Sequence, residues 1–390
     1  MPNGGDWQSD VLRDLRGVPH PDARSTAGPD HSVAPNVQKR LVEVVQEPAP
    51  ALGGGAFEQT DRQHQDDTPP EVTGEVPAPA PRSTPEARPV MGDGPSVALD
   101  RTPRHGESVA ARTVRALRRT LYTSATREVA DATRTAEMLQ RPVTTGRQIA
   151  VTSIRGGSGK STVAALLGTA YAHYRQDPVL FLEADPALGS LPLRLGAETV
   201  RWTTGDLADL VTPDMSLPDV TGHLVPLPDN AWLLPASRGQ VGTGLDGRAY
   251  ERAVVALRRY FGVMVVDCET LPAEVGRVAL AAAHSRVLTS PATPEGVSST
   301  YAVLRWMREL PRRLLPGTVV VLTQLTPHPG IDLDAATRQL RSTGAAVRTL
   351  PYDRHLASGG PIHTTSLAHP TRKAAARLAA EVFHLAQQRH

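Results

Sequence analysis

Residues Ile149 to Thr162 read I-A-V-T-S-I-R-G-G-S-G-K-S-T, the densest chemical signal in the sequence. An apolar run feeds a glycine-rich turn, and the turn opens a helical pattern that continues to Tyr174. Glycines let consecutive backbone N–H groups curl around phosphate oxygens, and the N-terminus of the following helix adds a favourable dipole. Lys160 is placed to reach the β and γ phosphates of a nucleoside triphosphate, and the Ser161 hydroxyl to ligate Mg²⁺. Gly156, Gly157, Ser158, Gly159, Lys160, Ser161 and Thr162 are therefore the expected phosphate-binding residues. Of 42 basic residues, only Lys39, Lys160 and Lys373 are lysine. A lysine kept inside a glycine loop, in a chain that otherwise uses arginine, fits the need for a slim point charge.

A second signal is the run Phe261 to Asp267, apolar until its last residue. A strand of this kind sets its carboxylate at the C-terminal edge of a sheet, where α/β proteins bind ligands. Asp267 is expected to hold Mg²⁺ through water. Another strand-like run ends in Glu183-Ala184-Asp185-Pro186, and a strand-terminal carboxylate beside a phosphate site can position water or support the metal. Cys268 is the single cysteine. It excludes an internal disulfide and a four-cysteine metal site within one chain, and it is expected to be a small buried residue.

The ordinary G-x-x-x-x-G-K-[ST] pattern needs a glycine at position 154, where Ile154 stands. The loop R-G-G-S-G-K-S-T instead resembles the deviant Walker motif of the ParA/MinD family, K-G-G-x-G-K-[ST]-T, and the resemblance runs over about residues 147 to 385. It implies an ATPase using ATP and Mg²⁺, with an ATP-dependent homodimer. In that family a signature lysine contacts the nucleotide across the dimer interface; here the position is Arg155, which can clamp phosphate oxygens bidentately but is bulkier. The resemblance makes Lys160, Asp185 and Arg155 the catalytic candidates and Ser161, Asp267 and Asp185 the metal candidates. It also makes Leu350-Pro351-Tyr352-Asp353 a base-pocket loop, with Pro351 at the nucleotide. The family's base-contacting asparagine is missing after Val319 to Thr323. Glu183 stands where aspartate is usual, and Glu269 where a small residue or proline is usual.

These residues need a scaffold. Candidate strands are Ile149 to Ser153, Val179 to Glu183, Trp232 to Pro235, Val263 to Asp267, Arg286 to Thr289, Val319 to Thr323 and Ala346 to Leu350. Helical patterns cover Lys160 to Tyr174, Gly247 to Tyr260, Val297 to Leu310, Leu333 to Ser342 and Thr371 to Gln387. Strands that are apolar throughout, alternating with helices, predict an α/β fold of the P-loop NTPase type: a mainly parallel sheet with helices on both faces. Arg201 to Asn230, rich in Pro, Asp and Thr, is expected to be an insertion or long loop. Ala375, Leu378, Ala379, Val382 and Leu385 share one face of the last helix. An Ala-rich face suits closure of the domain better than membrane insertion.

Residues 1–105 carry 16 of the 35 prolines and few apolar residues, so they are expected to be disordered. Two short helical patches, around Trp7 to Leu15 and Val37 to Val45, could fold on a protein partner. Residues 106–146 are expected to form a basic helical linker, with Arg112, Arg115, Arg118 and Arg119 in one stretch, ahead of an ATPase domain at 147–390. The formal net charge of +2 favours neither nucleic acid nor membrane, and 4% aromatics argues against base-stacking platforms. No apolar run reaches the roughly 18–20 residues that span a bilayer, so the expected place is the cytoplasm, with peripheral membrane attachment as the alternative. A long proline-rich leader before such a domain resembles the actinobacterial MinD-like ATPases associated with type VII secretion. Two readings result: an ATP-driven dimer switch that positions or regulates a cellular assembly, or a nucleotide-binding scaffold with weak or no hydrolysis.

Overall fold

The structure, a computed structural model, describes residues 84–90, 125–186, 189–239, 245–309 and 314–388. The two short leader patches and the four arginines from Arg112 to Arg119 lie outside the described residues. The elements that build the core begin with α1 (Ala125–Leu139) and include β1 (Arg147–Ser153), α2 (Lys160–Tyr174), β2 (Val179–Ala184), β3 (Val225–Leu227) and β4 (Ala231–Leu234). They continue with α3 (Gly247–Leu257), β5 (Val263–Cys268), α4 (Glu274–Ala282), β6 (Ser285–Pro291) and α5 (Pro294–Glu309). The last are β7 (Thr318–Thr323), α6 (Leu333–Arg341), β8 (Ala346–Leu350) and α7 (His369–Gln388).

The sheet has eight strands in the order β8-β7-β6-β1-β5-β2-β4-β3, parallel throughout except for the edge pair β3 and β4. β1 and β5 are buried along their whole length, which is why their central runs, Ile149–Val151 and Val263–Val266, are apolar without alternation. Alternate residues of β1 nonetheless serve two cores. Ile149 and Val151 pack with α2, α7 and Leu139 of α1, whereas Ala150 packs with α3 and α4. At the other end of the sheet, Leu288, Val320 and Leu322 pack with α5 and α6.

Three expectations need revision. Arg201 to Asn230 is not a loop: it holds helices at Thr204–Leu210 and Leu217–Thr221, and then β3. Each helix starts at a capping box, Thr203 with Asp206 and Ser216 with Asp219, in which hydroxyl and carboxylate satisfy each other's backbone N–H groups. The leader expected to lack regular elements contributes one, since Arg88–Pro89 pairs antiparallel with Thr199–Val200 and the Val90 N–H donates to Glu198 O at 2.9 Å. Helix α4 went unread because its buried face is mostly alanine and valine.

The closing role expected for the last helix holds. Leu378, Ala379, Val382 and Phe383 of α7 are buried in the core, and Arg377 pairs with Asp131 of α1 at 2.7 Å. Among the described residues no helix is long and apolar enough to cross a membrane.

Candidate functional site

β1 ends at Ser153 and α2 begins at Lys160, so the loop sits at the C-terminal edge of a central strand. Gly157 (φ 74°) and Gly159 (φ 81°) take the left-handed conformation that glycine adopts without a steric penalty. Gly159 caps α2 and no side chain competes for the helix's first N–H groups. Ser158 is pinned from two strands: its hydroxyl bonds Thr289 Oγ1 at 2.9 Å, and its carbonyl accepts from Thr323 Oγ1 at 2.8 Å. The Ser158 side chain therefore fixes the loop, and its backbone faces the ligand space.

Lys160 Nζ lies 3.2 Å from Asp185 Oδ2 and 3.1 Å from Asp267 Oδ1. Three segments distant in sequence thus meet at one ammonium group. Burial works against the charge on Lys160, but the two carboxylates outweigh it and hold its pKa above the usual value. Asp267 is fully buried. Burial pushes its pKa up, while Lys160 and a hydrogen bond with Ser161 pull it back. Its second oxygen, Oδ2, has no hydrogen-bond partner among the described residues, and an orphaned carboxylate oxygen beside a serine hydroxyl matches the hard oxygen donors that Mg²⁺ takes.

Above the loop is a cavity of about 490 Å³, lined by residues 156–162 and by Asp185, Arg194, Gln324, Pro351 and Tyr352. Its size suits a nucleotide-scale ligand. Pro351 lines this cavity. Asp353 next to it caps the helix Arg354–Ala357 and accepts from the Ala368 N–H, which fixes the loop.

Two acidic residues singled out by the sequence turn away from the cavity. Glu183 is 2% exposed and accepts N–H bonds from Leu191 and Ala236, at 3.2 and 3.1 Å. Burial and then the charge of Asp267 raise its pKa to about 8. It anchors the segment after Asp185 so closely that a methyl group on Gly189 would stand 2.1 Å from Glu183 Oε1. Glu269 accepts from the N–H groups of Val275 and Gly276 at the start of α4. Cys268 is buried as expected, and burial pushes its thiol's pKa up.

Arg155 is exposed and does not line the cavity. Its Nε donates to Ser299 Oγ of α5 at 3.1 Å. Sequence reasoning missed Arg194, which lines the cavity and donates to the carbonyls of Leu356 and Gly360, at 3.1 and 3.4 Å. It ties the segment after Asp185 to the Pro351 loop, and no pattern in the sequence marks it. Thr289 and Thr323 were also missed, although a threonine near the C-terminal end of a strand beside such a loop is a readable signal.

No family model matches the chain. The solved ParA family ATPase from Chlorobium tepidum superposes with a TM-score of 0.51 at 14% identity, over 60% of this chain and 98% of that one. The chain has the ParA/MinD fold. The resemblance read from the loop is matched in sequence as well. The septum site-determining protein MinD of Synechocystis is 34% identical over 151 residues, 38% of this chain and 54% of that protein. The ESX-1 secretion-associated protein EspI of Mycobacterium tuberculosis is 27% identical over 222 residues, 55% of this chain and 33% of that protein. The chain thus spans a third to about half the length of these curated relatives. Within the ParA/MinD fold, the loop, Asp185 and Asp267 share one edge of the sheet.

Proposed function

We propose that this chain binds and hydrolyses ATP with Mg²⁺ as a dimerisation switch that positions or regulates a cellular assembly. The observation that carries the proposal is Lys160, held at the head of a glycine-capped helix between Asp185 and Asp267. When bound, Mg²⁺ would offset the charge of the phosphates and polarise them; Ser161, Asp267 and Asp185 are the residues that would hold it. Lys160 and the N–H groups of 156–162 bind and orient the phosphates, and Asp185 is the carboxylate placed to orient a water. Pro351 and Tyr352 close over the base side of the cavity. The similarity to EspI and to MinD supports an assembly of the secretion or division type, with the N-terminal region as the place where protein partners attach.

Arg155 carries the cross-subunit role in this proposal. Its exposure and its seat outside its own cavity leave it available to a second copy, where desolvated pairing with phosphate is strong. The second reading, a scaffold with weak or no hydrolysis, draws on the arginine at this position. Glu183 and Glu269, though they depart from the family pattern, do not favour it, since both anchor backbone and neither lines the cavity. Sedimentation with ATP and with ADP, beside measured turnover, tests the proposal. Arg155→Ala keeps monomer binding but loses the ATP dimer and most turnover; Arg155→Lys keeps the dimer. A wild type that stays monomeric in saturating ATP, or an Arg155→Ala variant that dimerises as well as wild type, refutes the cross-subunit role. Addition of DNA or of anionic vesicles to the same assay reads those two partner classes.

A further inference from the structure

At the N-terminal edge of the sheet, opposite the phosphate loop, hydrogen-bond donors outnumber their acceptors among the described residues. The Gln148 N–H donates to His284 Nδ1 at 3.0 Å, which leaves the proton of the neutral ring on Nε2. That Nε2 faces Arg258 Nη2 at 3.3 Å, and a guanidinium has no lone pair to offer. Two donors face each other at hydrogen-bond distance, and only a shared acceptor satisfies both. Arg147, the first residue of β1, is 8% exposed, and its Nε has no partner among the described residues. Arg286, 2% exposed, fixes its guanidinium on the carbonyls of Leu280 and Ala283, at 2.6 and 3.1 Å. Burial first, then the charges of Arg258, Arg147 and Arg286, depress the His284 pKa to about 3. Among the described residues no carboxylate pairs with Arg147 or Arg258.

We propose that Arg147, Arg258 and His284 form a binding site for a phosphate group, separate from the nucleotide cavity and on the opposite edge of the sheet. The donors come from three segments, and a tetrahedral dianion offers an oxygen to each, where a carboxylate offers two oxygens and a single charge. Arginine pairs with phosphate bidentately, and its pairing strengthens where water is excluded. Inorganic phosphate and a phosphomonoester present the same chemistry and are separated by the test.

The experiment measures Tm of the full chain against inorganic phosphate, glycerol 2-phosphate and chloride at fixed ionic strength. A saturable rise in Tm with phosphate is expected. It persists in Lys160→Ala, which disables the nucleotide loop, and it is lost or weakened about tenfold or more in Arg258→Gln and Arg147→Gln. If the rise disappears in Lys160→Ala and survives in the arginine variants, the phosphate sits in the loop and the proposal fails. A response to glycerol 2-phosphate equal to that of phosphate assigns the site to phosphomonoesters; a response to phosphate alone assigns it to the free ion. A second measurement needs no variant: the His284 ring, followed by NMR, titrates at higher pH when phosphate is present. An unchanged His284 titration in saturating phosphate overturns the proposal.

Discussion

At the scale of single residues, Lys160 and His284 are the two titratable groups whose surroundings carry predictions. Lys160 pairs with both Asp185 and Asp267. Lys160→Ala is expected to lower ATP affinity about a hundredfold or more, because no other loop cation reaches the β and γ phosphates. It also strands Asp267 in the core, and removing one partner of a buried pair costs roughly 3–5 kcal/mol. Calorimetric titration with ATP and thermal melts read the two effects, and adding Asp267→Asn restores stability without restoring binding. His284 predicts a pH dependence. Its folded pKa of about 3 lies below the unfolded value of about 6.5. The neutral ring therefore contributes stability that is present above about pH 6.5 and lost as pH falls toward about 3. Chloride-buffered melts across that window should steepen for wild type and flatten for His284→Gln.

At the scale of elements, the sequence was legible wherever burial was one-dimensional. β5 was read to within one residue because it is buried along its length and apolar up to Asp267, and β8 was read at its full Ala346 to Leu350 although this edge strand exposes Arg348. The loop and its two carboxylates were legible for a different reason: each lies at the end of an apolar strand, and strand ends converge on one edge. What failed depended on pairs of residues distant in sequence. Glu183 and Glu269 turn back to bind N–H groups, and a sequence does not distinguish a strand-end carboxylate that does so from one that faces a ligand. Arg194 reaches across more than 160 residues to Leu356 and Gly360, a contact that no local pattern encodes. Helix α7 supplies the clearest element-level test. Phe383 is fully buried, with the Arg175 guanidinium 4.4 Å above its ring. Phe383→Ala should lower stability by about 3–5 kcal/mol in urea melts. A shift of less than about 1 kcal/mol would show that α7 does not close the core.

At the scale of the whole molecule, the proline-rich leader and the folded core answer to different physics. Residues 1–83, which lie outside the described residues, are proline-rich and sparse in apolar residues, a composition expected to build no core. Deleting them should move the melting temperature by no more than about 2 °C, read by calorimetry. Extending the deletion through Val90 removes the pairing of Arg88–Pro89 with Thr199–Val200. Val200 is buried beneath that pairing, so the longer deletion should cost measurably more than the shorter one.

That two-residue pairing also gives the chain a direction of pull. It is held by a ladder short enough to shear under a small load, and its other half lies five residues after Arg194, the side chain that ties the segment following Asp185 to the Pro351 loop. Only residues 195–198 separate that ladder from the Arg194 tie, so a partner that displaced Arg88–Pro89 would uncover buried Val200 within a few residues of it.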